Sequence, residues 1–150
     1  RDLHSFPTRR SSDLEKVLDT DMLNLMRHFQ LTKVNGAYLS GTITLLEHTS
    51  SMVKIFRDMR PIRCSTDSRL DQLSSALAWF VEWEKHIAND PSSTANEKKK
   101  KLPSHESLFD LKSCLIGFKQ IVALTLKENS RVQIVPGKLN SDIIENNFCQ

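Results

Sequence analysis

Apolar residues recur at spacings of three and four through four separate stretches of this chain, and that periodicity restricts the fold more than any other feature. Such spacing places them on one side of a helix, and that side must be buried against another element. The clearest stretch is Ser68–Ile87, where Leu70, Leu73, Leu77, Phe80 and Ile87 share a face. Ala76, Trp79 and Trp83 widen it, so burial between several helices is expected rather than on one partner. The spacing predicts three further helices. One covers about Leu14–Phe29, with Val17, Leu18, Met22, Leu25, Met26 and Phe29 on its stripe. Another covers about Ala37–Asp58, with Leu39, Ile43, Leu46, Val53 and Phe56. The last covers about Ser104–Leu126, with Leu108, Leu111, Leu115, Phe118, Val122 and Leu126. The expected fold is all-α, an irregular bundle of about four helices with a short extended segment before a C-terminal helix. Its core is expected at Leu73, Leu77, Trp79, Phe80, Leu115 and Phe118, where the two strongest faces meet.

The residues between these stripes supply the breaks. Gln30–Gly36 is a connector, with Gly36 as the breaker. Gly41 and several Ser and Thr residues weaken the second helix, so packing must hold it. Pro61 is expected to end that helix, because proline lacks a donor and disfavours helix at the preceding residue. Arg60–Asp67 reads as a polar bend in which Ser65, Thr66 or Asp67 caps the third helix. Asn89–Ser104 reads as a solvated linker carrying the Lys98–Lys101 run, and Ser104 caps the fourth helix after Pro103. Gly117 would permit a close helix approach. Arg131–Val135 alternates polar and apolar residues, as a short strand or extended lead-in does, and Pro136-Gly137 makes a turn.

The first fourteen residues, Arg1 through Leu14, carry no apolar periodicity. Their wording resembles translated sequencing-adapter read-through, so they are expected to be non-native and disordered. They also lack the apolar stretch of a signal peptide. Setting them aside removes three positive and two negative residues and takes the formal charge from +3 to +2, too small to argue nucleic-acid binding. No apolar run approaches the roughly 18 residues of a membrane span. Cys64, Cys114 and Cys149 are far apart and odd in number, which fits a reducing nuclear or cytosolic compartment. His86 and His105 stand at expected helix ends, where exposure or capping is the ordinary role. Lys98–Lys101 reads first as a loop too polar to pack, and second as a localisation or phosphate-binding run.

No phosphate-cradling glycine loop, GxSxG, HExxH or CxxC is present, which leaves one constellation that carries chemistry. The tail reads Leu139-Asn140-Ser141-Asp142-Ile143-Ile144-Glu145-Asn146-Asn147-Phe148-Cys149-Gln150. Ser141 is placed to N-cap a short amphipathic helix, and spacing of three puts Asp142 and Glu145 on one face of it. An acid pair at a helix start ordinarily compensates the dipole. Its second use is metal capture, since two-metal phosphoryl chemistry needs carboxylates that clamp hard cations.

The string Leu-Asn-x-Asp-x-x-Glu-Asn-x-Phe resembles the opening of the last catalytic helix in P-element-type transposases, the THAP-domain transposon family. The resemblance implies that Glu145 is the third acid of an RNase H-like Asp-Asp-Glu site, catalytic and ligating Mg2+ or Mn2+. It implies that Asp142 faces a cofactor, GTP, bound by a helical insertion domain. Ser104–Phe118 and Leu39–Phe56 are similar to parts of that insertion. The implied organisation is an adapter-derived tail over 1–14, the insertion domain over 15–135, and the truncated start of the catalytic helix over 136–150. The partner would be transposon-end DNA, in the nucleus, with no membrane and the oligomeric state left open. Arg60-Pro61-Ile62-Arg63-Cys64-Ser65 departs from the family, which places a Phe-Asp-x-x-Asn-Ser run there to face the nucleotide. Asn147 stands where the family prefers Phe. The other reading is a helical interaction module, domesticated from a transposon, that cuts nothing.

Overall fold

A computed structural model describes residues 16–33, 36–129 and 131–139. All named elements among them are helical, so the expected all-α class is what the chain adopts. The α-helices are α1 (Thr20–Thr32), α2 (Ser40–Phe56), α3 (Ser68–Asn89), α4 (Ala95–Lys100) and α5 (His105–Glu128). Short 3-10 turns at Gly36–Leu39 and Pro136–Lys138 complete the order. The chain divides into two compact units, Arg1–Asp58 and Met59–Gln150, as far as their residues are described.

In the first unit α1 packs on α2. Leu23, Ile43 and Leu46 are buried together, with Leu18, Met22, Met26 and Leu39 packed around them. The one helix expected from about Leu14 is corrected to an interrupted one: Lys16 and Val17 are helical, Leu18 and Asp19 break the helix, and α1 begins at Thr20. The Asp19 carboxylate accepts from the Asp21 and Met22 N–H groups at 3.0 and 3.1 Å, and this cap starts a new helix within the apolar period. Gly36 is buried, and a Cβ there would collide with the backbone of Gln30. The α1–α2 connection closes so tightly that no side chain fits at this position. In α2, Thr49 and Ser50 are buried and return their hydroxyls to carbonyls of the preceding turn, which satisfies them without a tertiary partner. The helix ends at Phe56, ahead of Pro61, as Arg57 N–H bonds back to Val53 O. Its buried positions there are Met52 and Ile55, where Val53 and Phe56 were expected.

In the second unit α3 and α5 face each other. Asp67, one of the three candidates, caps α3, and Ser104 caps α5 as expected. Leu70, Leu73, Ala76, Phe80 and Ile87 on α3, and Leu108, Leu115, Phe118 and Val122 on α5, form the core. Leu77 and Trp79, placed in that core by the sequence, are half-buried. The Trp79 ring instead stands edge-on to Phe80 and tilts against Trp83, with centroids 5.0 and 5.1 Å away. Two cross-links set the direction of the pair. Lys119 Nζ donates to Ser74 Oγ at 2.5 Å and Lys112 Nζ to Glu84 Oε2 at 2.6 Å, so α5 runs antiparallel to α3.

The expected linker is corrected as well. Thr94 and Glu97 form a reciprocal capping box, and α4 follows it. Lys98 Nζ donates to Ala88 O at 2.7 Å, supplying a cation to the last carbonyls of α3. Lys101 Nζ reaches Asp90 and Ser93. Half of the lysine run is therefore internal bonding.

Candidate functional site

Asp142 and Glu145, the residues singled out as cofactor-binding and as catalytic and metal-ligating, lie outside the described residues. So does the segment before residue 16. The approach to the acidic tail is described, and it is firmly held. Ile62 N–H donates to Ile134 O at 2.7 Å and Ile134 N–H returns the bond at 3.1 Å, an isolated antiparallel bridge. The alternating segment Arg131–Val135 thus pairs at one residue instead of forming a strand. Pro136 is fully buried, and Leu139 N–H closes the following 3-10 turn on Pro136 O at 3.0 Å.

The other half of the bridge belongs to Arg60–Ser65, which stands where the resemblance would put nucleotide contacts. Here the stretch is a structural strap. Ile62 is fully buried, and the Arg69 guanidinium donates to the Arg60 and Pro61 carbonyls at 2.7 and 3.0 Å. Arg69 also meets Asp67 in a well-shielded ion pair at 2.7 Å. One guanidinium thereby fixes the strap to the first turn of α3. The sequence hinted at the Asp67 cap but held no sign of these long-range roles.

In the first unit, Asp19, Thr20, Asp21, Ser50, Val53, Lys54 and Arg57 line an open cleft of about 270 Å³. Two carboxylates beside two cations leave it without a preferred ligand charge, and the first α1 amides, the groups that would meet an anion, are taken by Asp19. Sequence reasoning did not find this cleft, since its two walls are distant along the chain.

Among the described residues no group of three or more His, Cys, Asp or Glu comes together, and no helix is long and apolar enough to cross a membrane. Cys64 and Cys114 are free thiols. Partial burial, which disfavours the charged thiolate, pushes the Cys114 thiol up from its ordinary value, the reverse of an activated nucleophile. His86 and His105 are exposed at the end of α3 and the start of α5. A Cβ on Gly117 would meet nothing within 4 Å, so the close helix approach expected there does not occur. The chain matches no protein-family profile, no curated protein and no solved structure.

Proposed function

We propose that this chain is a fragment of a P-element-type DNA transposase, comprising part of the helical insertion domain and the start of the last RNase H-like catalytic helix. One observation carries the reading: Leu139-Asn140-x-Asp142-x-x-Glu145-Asn146-x-Phe148 places two carboxylates within a turn of each other, in the order and setting of that family. The all-α architecture is compatible with a helical insertion, although many unrelated proteins share it.

In this reading Glu145 supplies a negatively charged oxygen ligand, and the remaining acids come from the rest of the parent protein. The donors fit a hard cation such as Mg2+ or Mn2+, because carboxylate oxygens are the ligands such ions take. When bound, a pair of these ions stabilises the attacking and leaving oxygens of DNA cleavage and strand transfer. Asp142, three residues earlier, would help shape the same pocket. A guanine nucleotide has weaker support, since the strap Arg60–Ser65 lacks the acid and the amide and spends its carbonyls on Arg69. No step is assigned to it. The setting would be the nucleus and the partner transposon-end DNA.

A second reading, a domesticated helical module that binds a partner and cuts nothing, is favoured by the exposed apolar side chains Phe109, Ile116 and Leu124 on α5. The full open reading frame of the parent gene discriminates the two. Two upstream aspartates on strands, with an intact helix beyond Glu145, support the transposase; loss of those aspartates leaves the module.

A further inference from the structure

Helix α5 is apolar on both sides. Its buried face carries Leu108, Leu115, Phe118 and Val122, yet Phe109, Ile116 and Leu124 on the opposite side are 60%, 43% and 59% exposed. At 3.6 residues per turn, Phe109, Ser113, Ile116, Gly117, Gln120 and Leu124 share one stripe, and none of them is charged. Charged residues such as Asp110, Lys112 and Lys119 flank this stripe, so it is a bounded apolar patch on an otherwise polar exposed side.

Three features of the stripe say what would cover it. The first is shape. Gly117 leaves an open notch, with nothing within 4 Å of a Cβ built there, and the bulky Ile116 stands directly beside it. The second is symmetry. If two copies of α5 cross antiparallel, with a two-fold axis between Ile116 and Gly117, Ile116 of each copy meets the notch at Gly117 of the other. The same axis sets Phe109 against Leu124 of the second copy, and Ser113 against Gln120. The third is charge. Glu106 in the first turn and Lys127 in the last turn end the stripe, both exposed, and the axis places each opposite the other's counterpart.

We infer that this face of α5 is a self-association surface, on which a second copy of the chain docks as an antiparallel, two-fold-related helix. An isologous contact needs a patch complementary to itself, and a knob beside a notch, bounded by opposite charges, meets that condition. Covering the three exposed apolar side chains removes on the order of 300 Å² of apolar surface per copy, about the size of the largest apolar patch on an ordinary monomer and often functional. It also falls at the low end of specific interfaces, so the dimer is weak and concentration-dependent. The inference does not depend on the transposase reading, and either can fail alone.

Sedimentation of the 150-residue chain tests it. The mass should rise from 17.2 kDa toward twice that value as concentration increases to about 300 μM, where a contact of this size is populated. Gly117→Leu fills the notch and should abolish dimerisation while helicity and melting temperature are undiminished, because the site is open in the monomer. Glu106→Lys alone and Lys127→Glu alone should each weaken the dimer roughly tenfold by like-charge contact at both ends. An equimolar mixture of these two variants should restore it as a heterodimer, since both end pairs are again opposite in sign. A chain monomeric at every concentration, a dimer indifferent to Gly117→Leu, or a mixture that fails to restore pairing would each overturn the proposal. The first of these outcomes would leave the face to a different partner.

Discussion

Ile62 and Ile134 exchange both backbone hydrogen bonds, at 2.7 and 3.1 Å, and are buried side by side with 0% and 7% exposure. This single bridge ties the strap before α3 to the lead-in of the acidic tail, and it positions Pro136 in the core. Ile62→Ala should therefore cost about 2–5 kcal/mol, the range for a fully buried aliphatic side chain that leaves a cavity. Denaturant unfolding of the second unit measures it, and a loss under 1 kcal/mol would show that the bridge is peripheral.

The aromatic cluster of α3 ranks its own members. Phe80 is 1% exposed, whereas Trp79 is half-buried against Phe80 and Trp83. Phe80→Ala should cost about 3–5 kcal/mol and Trp79→Ala distinctly less, because part of the indole already faces water. Equal losses in paired urea titrations would contradict this ordering.

Glycine substitutions separate the tight position from an open one. Gly36→Ala must displace the Gln30 backbone and should destabilise the first unit by about 1–3 kcal/mol. Gly41→Ala, on an open helical site with nothing within 4 Å, should instead raise stability by about 0.5–1 kcal/mol. Thermal melts of the two variants should move in opposite directions.

Acid should loosen α4 before the core. The hydroxyl and N–H of Ser92, the Ser93 hydroxyl and Lys101 hold the Asp90 carboxyl far below its ordinary value, and Thr94 lowers Glu97 in the same sense. A depressed carboxyl contributes stability that is complete above its unfolded pKa, near 4, and lost as pH falls through the lower folded value. Amide shifts of Ala95–Lys100 should hold from neutrality to about pH 4 and move only below it. Glu97 is exposed and Asp90 half-buried, and both carboxylates bond only within the Asp90–Lys101 segment, so the effect should be local. A transition centred on the ordinary carboxylate value would contradict the hydrogen-bonded account.

Much of the fold was legible because its strongest signals are local. Helices α3 and α5 announce themselves by long apolar stripes; Ser104 caps α5 where the sequence puts it, and Asp67 caps α3 from among three candidates. Two misreadings share one cause. Asp19 restarts the helix within an unbroken apolar period, and the Thr94–Glu97 box builds α4 from wholly polar residues, so capping outweighed pattern at both places. Ile62 was hidden for a different reason: a lone aliphatic in a polar bend has no period, and its partner lies far along the chain. Glu145 and Asp142 lie outside the described residues, and their reading rests on the wording around them alone, since an acid pair three apart has ordinary capping uses.

The transposase reading is tested most directly by cleavage of transposon-end DNA with Mg2+ or Mn2+, using the intact parent protein carrying Glu145→Gln. The amide keeps the side chain's shape and removes the charge a metal needs. Cleavage should be abolished, with folding and DNA binding nearly intact, and Asp142→Asn should reduce activity by a smaller factor. Full cleavage by the Glu145→Gln protein would contradict the account and leave helix capping as the role of that carboxylate.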